Sequence, residues 1–112
     1  YESMCRVTSV QRIGHLIASH IKPWRDCDNN EERLNGENGL LLTPSIDHLF
    51  DRGYISFEDD GSLIVSPVAD RGSLEKMGIP VDREFNSGGF STNQKTFLDY
   101  HRERIFLKAN VG

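Results

Sequence analysis

Apolar positions along this chain come in short bursts separated by polar, turn-rich stretches, so the elements they predict are brief. Cys5-Arg6-Val7-Thr8 reads as a short strand, and His15–Ile21 as helix or irregular chain that passes into a strand near His20. Pro23 disfavours the helical region for Lys22, so the backbone runs extended just past the imidazole. Residues 25–37 are polar and read as a long surface loop, and Gly39-Leu40-Leu41-Leu42 as a short apolar strand. Thr43-Pro44-Ser45 then carries helix-start chemistry, a hydroxyl cap with proline in the first turn, for a brief helix over about 45–52 that Gly53 stops. In that helix Ile46, Leu49 and Phe50 take the core side, while Asp47 and Asp51, four positions apart, share another face.

Further on, Tyr54–Phe57 and Leu63–Val65 flank Glu-Asp-Asp-Gly-Ser, a hairpin signal. Ser73–Gly78 predicts one helical turn with its stop, and residues 80–93 a loop. A final helix over about 93–106, capped by Ser91 or Thr92, is amphipathic through Phe97, Tyr100/His101 and Ile105. There are no internal repeats and no low-complexity tracts.

Length bounds the picture to one compact domain over residues 1–112, with a core at about 5–66 and a C-terminal extension at about 67–112. The opening Tyr-Glu-Ser-Met has neither an initiator Met nor a signal-peptide pattern and reads as the start of a domain excised from a longer protein. A hydrophobic fraction of 37% and a mean hydropathy of -0.50 suit a soluble protein without a membrane span. Cys5 and Cys27 are too few for a disulfide framework and form no C-x-x-C pair, so two reduced cysteines in or near the core, in a cytoplasmic setting, are expected. A net charge of -4 argues mildly against nucleic-acid binding, although Lys22, Arg25 and Arg33 make a local basic rim.

The chemistry concentrates between positions 19 and 51. Hydrolysing a phosphodiester needs a base beside water, a Lewis acid on the phosphate and something that holds the base still. Neutral His20 suits the first task at pH 7. Asp47 and Asp51 on one helix face suit the second, because carboxylate oxygens prefer Mg²⁺ or Mn²⁺. Asn38 suits the third, since its amide bridges backbone groups across a loop. Each residue alone has a plainer explanation: a structural histidine, a solvated acidic face, an Asn-Gly turn. The joint pattern is what points to a site.

Cys5–Thr8, Ala18–Trp24, Asn30–Leu34, Asn38–Leu42 and Asp47-x-Leu49-Phe50-Asp51-x-Gly53 together resemble the HNH endonuclease family, in the branch found as the C-terminal domain of bacterial restriction endonucleases. The Tyr54–Phe57 hairpin and the Tyr100-His101-Arg102 helix extend the resemblance over nearly the whole chain. It implies an α+β fold: a ββα-metal (His-Me finger) core with an added β-hairpin and a C-terminal helix. It also implies metal-dependent cleavage of DNA, with His20 as general base, Asn38 shaping the loop, and Asp47 and Asp51 as metal ligands.

The chain departs from the family pattern at two places. An Asp stands at the third position, which still suits a hard ion. Ser19 precedes the first histidine where many relatives carry an acid, which makes Asp51 more important. Ser19 and His48 are further candidates for the metal or its surroundings; a role for His48 would bring in Zn²⁺ or Ni²⁺. Lys22, Arg25 and Arg33 are candidate DNA phosphate contacts, Trp24 is expected to pack, and His15 and His101 to be structural. The competing expectation is a DNA- or protein-binding module that keeps the fold without catalysis. Cutting both strands needs two sites, hence a homodimer through the parent protein is expected.

Overall fold

The computed structural model describes residues 3–108; the extreme ends of the expected 1–112 unit lie outside the described residues. The fold is α+β, with two small antiparallel sheets and four α-helices among the described residues. Strand β1 (Ile17–His20) pairs with β2 (Gly39–Leu42), in a register that sets Ser19 opposite Leu40 and His20 opposite Gly39. Helix α1 (Asn30–Leu34) lies in the connection between them, and helix α2 (Pro44–Asp51) follows β2 and packs on β1. Strands β3 (Ile55–Phe57) and β4 (Leu63–Val65) form the second hairpin, and α3 (Arg71–Lys76) and α4 (Thr92–Tyr100) complete the chain.

Among the described residues, one apolar cluster joins these pieces. Leu40 and Leu42 of β2, Ile46, Leu49 and Phe50 of α2, and Ile55 and Phe57 of β3 meet Leu74, Phe90, Phe97 and Leu98 from the C-terminal half. The core face expected for α2 is the observed one, because 3.6 residues per turn bring positions 46, 49 and 50 together.

Helix α2 ends in a Schellman motif: the Tyr54 N–H donates to the Leu49 carbonyl (2.9 Å) and the Gly53 N–H to that of Phe50 (3.1 Å). Gly53 sits at φ 83°, and a Cβ there would lie 2.1 Å from the Ile105 carbonyl oxygen. Gly53→Ala is therefore expected to cost about 3 kcal/mol, read as a lowered urea midpoint at unchanged slope.

The structure corrects four local expectations. Cys5–Thr8 is a turn, not a strand: Ser9 at φ 63° folds it back, and the Ser9 N–H donates to the Cys5 carbonyl at 3.0 Å. The loop at 25–37 contains helix α1, capped by the Asn29 side chain, which accepts from the Glu32 N–H at 2.9 Å. Thr43 starts α2 without a side-chain cap; its hydroxyl turns to Cys5 Sγ, 3.8 Å away. Trp24 is 53% exposed and does not join the core. Cys5 and Cys27 are both buried and free, and Ser91 caps α4 in a reciprocal pair with Gln94.

His101 is structural. It stacks on Phe50 with ring centroids 3.9 Å apart, donates from Nε2 to the Phe50 carbonyl (2.8 Å), and accepts at Nδ1 from the Ser56 hydroxyl (2.8 Å). Burial lowers its pKa to about 4, more than the Phe50 carbonyl and the Asp51 charge offset. With the unfolded value near 6.5, the unfolded chain binds more protons between about pH 6.5 and 4. Stability is thus intact above that window, falls as the pH drops through it and levels off below. The loss should reach about 3 kcal/mol. Urea titrations at pH 7 and 4.5 check it, and the excess pH slope should vanish in His101→Gln.

Candidate active site

His20 ends β1, and the family of contacts around it decides what its ring does. Its Nε2 lies 2.9 Å from the Arg33 carbonyl oxygen. A carbonyl only accepts, so Nε2 carries the proton, and the neutral ring keeps its lone pair on Nδ1. Trp24 stands perpendicular to the imidazole, with ring centroids 5.5 Å apart, and the Arg33 guanidinium lies 5.5 Å from the indole centre. These contacts fix both the plane and the tautomer of a half-buried histidine.

Asn38 sits one residue before β2 and is 1% exposed. Its Oδ1 accepts from the Lys22 N–H (2.7 Å), while Nδ2 donates to the carbonyls of Lys22 (3.1 Å) and Glu32 (3.3 Å). One side chain thus ties the segment after His20 to the helix whose Arg33 carbonyl holds the ring. Such two-ended bridging is what an Asn offers and an aliphatic residue cannot.

Lys22 is placed differently from its expected role at DNA phosphates. It is only 8% exposed, and its ammonium pairs with Glu32 (3.0 Å) and Asp28 (3.4 Å) and lies 4.8 Å from the centre of the Tyr100 ring. Burial presses the pKa of Lys22 down, but the Glu32 hydrogen bond and the charges of Glu32 and Asp28 outweigh it, and the net shift is upward. Glu32 is held below the usual carboxylate range by the Asp28 N–H and then by Lys22. Arg33 is likewise engaged, donating to the carbonyls of Trp24 (3.2 Å) and Cys27 (3.4 Å) and to Asn30 Oδ1 (3.2 Å). Arg25 is exposed, with Nε 4.0 Å from Asp26.

The acidic candidates lie on α2. Asp47 is half-buried at the flank of the core-facing stripe, while Asp51 and His48 are exposed. Ser19 is buried, on the strand face it shares with its partner Leu40 and opposite to the face of its neighbour His20. Among the described residues, no group of three or more His, Cys, Asp or Glu side chains is placed to hold a metal ion. By donor chemistry, the carboxylates of Asp47 and Asp51 are hard oxygen ligands of the class that Mg²⁺ takes beside its waters.

The hairpin carrying His20 and Asn38, followed by α2, has its counterpart among known proteins. Residues 5–58 match the family model described as HNH endonuclease. These residues belong to the HNH endonuclease family. The HNH region therefore spans β1, α1, β2, α2 and β3, and the family match suggests nuclease-type activity in general, with DNA as the substrate class of the family. No curated protein matches the chain. No described helix is long and apolar enough to cross a membrane.

Several residues that matter to this HNH region were not visible as site residues in the sequence. Glu32 and Tyr100 hold Lys22, and Glu37 accepts from Ser91 and from Asn93 (2.9 Å), tying the turn before Asn38 to α4. A local signal existed for Glu32: Asn29-x-x-Glu32 has the spacing of a helix-capping pair. Glu37 and Tyr100 had none, because their partners are remote in sequence.

Proposed function

We propose that this chain is a metal-dependent DNA endonuclease domain of restriction type, built on a ββα-metal core that folds as one unit with its C-terminal extension. The observation that carries the reading is the His20–Arg33 hydrogen bond, which supports a bare Nδ1 on a positioned imidazole. In this mechanism Nδ1 takes a proton from water as the water oxygen forms its bond to phosphorus and the P–O ester bond breaks. Arg33 stabilises the resulting imidazolium through its carbonyl, and Asn38 keeps the strand end and α1 together throughout. A divalent ion held by Asp47 and Asp51 would supply charge neutralisation at the phosphate and the leaving oxygen; Ser19, buried on the strand face opposite to His20, is not part of this ligand set. Mg²⁺ is the favoured ion, with Mn²⁺ next.

A plasmid-nicking assay with Mg²⁺, Mn²⁺ and EDTA tests the proposal. Nicking that EDTA abolishes is expected, whereas DNA left intact under all conditions would favour the second reading, a binding module without catalysis. That alternative draws on Ser19 and on the lack of a three-residue metal group among the described residues. Asp47→Ala is expected to weaken Mn²⁺ binding by at least about 10-fold in calorimetry. An unchanged affinity would remove Asp47 from the ligand set. A homodimer of the parent protein would bring two such sites to the two strands, and light scattering of the full-length parent checks it.

A further inference from the structure

Helix α1 has only five residues. A helix that short has no stability of its own. Yet its Arg33 carbonyl is the acceptor that sets the proton position on His20. Whatever anchors α1 therefore decides whether the base is ready.

The anchors converge on Lys22. The Glu32 carboxylate receives the Lys22 ammonium at 3.0 Å and the Asp28 N–H at 2.8 Å. The backbone of Lys22 is gripped by Asn38, whose Nδ2 also holds the Glu32 carbonyl at 3.3 Å. The contacts form a ring: from the imidazole of His20 to Arg33, to Glu32, to Lys22, which is two residues beyond His20 in the chain. The ammonium is buried over Tyr100 and committed to two carboxylates. A cation so placed is an anchor, not a free ligand for a phosphate.

We infer that Lys22 and Glu32 are positioning residues: their ion pair fixes α1 so that the Arg33 carbonyl keeps His20 in the Nε2–H tautomer, with Nδ1 bare. The inference rests on the reading of His20 as general base. A free neutral imidazole populates both tautomers in water, and the wrong one presents an N–H where a lone pair is needed.

The test compares wild type with Lys22→Met and Glu32→Ala, and with Asp28→Asn as a control at the outer, exposed partner. Long-range ¹H–¹⁵N correlation spectra of the free protein identify which ring nitrogen of His20 is protonated, without DNA or metal. Wild type and Asp28→Asn should show the Nε2–H form alone, and the other two variants a mixture. In the nicking assay, Lys22→Met and Glu32→Ala should lose about 10- to 100-fold in kcat, with KM within about twofold. Persistence of the single tautomer in either folded variant would overturn the inference, as would a mixture in wild type. A raised KM at unchanged kcat in Lys22→Met would return Lys22 to the DNA phosphates. Should Lys22→Met fail to fold, Glu32→Ala decides, since Glu32 is partly exposed. An inactive wild type would defeat the nuclease reading, while the spectra would still decide the positioning.

Discussion

His20→Ala is expected to lower the nicking rate by about 10²- to 10⁴-fold, the usual contribution of a general base, while the domain stays folded. The two effects separate because of where the ring sits. It is half-buried at a strand end and hydrogen-bonded to the Arg33 carbonyl. Removing the ring leaves that oxygen to water at a cost of about 1 kcal/mol. The backbone bridge made by Asn38 does not involve the imidazole and should persist. A loss in kcat at unchanged KM, with a circular dichroism melt close to wild type, is the expected pair of results. Equal rates for wild type and His20→Ala would mean that the cleavage comes from elsewhere, and would leave the binding-module reading in place.

What the sequence made legible, and what it hid, follows from the range of the interactions. The α2 core face, its Gly53 stop and the β3–β4 hairpin were readable because helix periodicity, C-terminal glycine chemistry and turn residues act over a few positions. The turn at Cys5–Thr8 was not, because its fold-back depends on Ser9 adopting a left-handed backbone and on Cys5 Sγ accepting from the N–H groups of Thr8 and of distant Thr43, each at 3.4 Å. Trp24 read as core by residue type alone, yet it stands exposed between His20 and Arg33.

Cations show the same limit. In the sequence Lys22, Arg25 and Arg33 are three equivalent positive charges beside a histidine. In the structure Lys22 is buried against Glu32 and Asp28, Arg33 buttresses the loop through backbone carbonyls, and Arg25 remains exposed. A positive charge next to a motif therefore says little about phosphate binding until its neighbours are known, particularly in a chain of net charge -4 that offers many acidic partners.

Asn38→Ala is expected to be the most damaging exchange for fold and site together. The residue is 1% exposed and serves four groups: the N–H and carbonyl of Lys22, the carbonyl of Glu32, and Cys27 Sγ at 3.5 Å. Alanine removes all of these at once and leaves the Lys22 backbone groups without their partner in a buried place. At roughly 1–3 kcal/mol for each orphaned buried group, the total should be about 3–5 kcal/mol. Activity should fall as well, because α1 and the strand end lose their link and the Arg33 carbonyl no longer stays fixed relative to His20. Asn38→Asp sharpens the argument. It preserves an acceptor for the Lys22 N–H but sets a carboxylate against two carbonyl oxygens, so it should destabilise about as much as alanine although its shape is nearly unchanged. Urea unfolding of both variants, with nicking measured well below their melting temperatures, checks the pair. A loss under about 1 kcal/mol for either would show that the bridge is not what holds the loop.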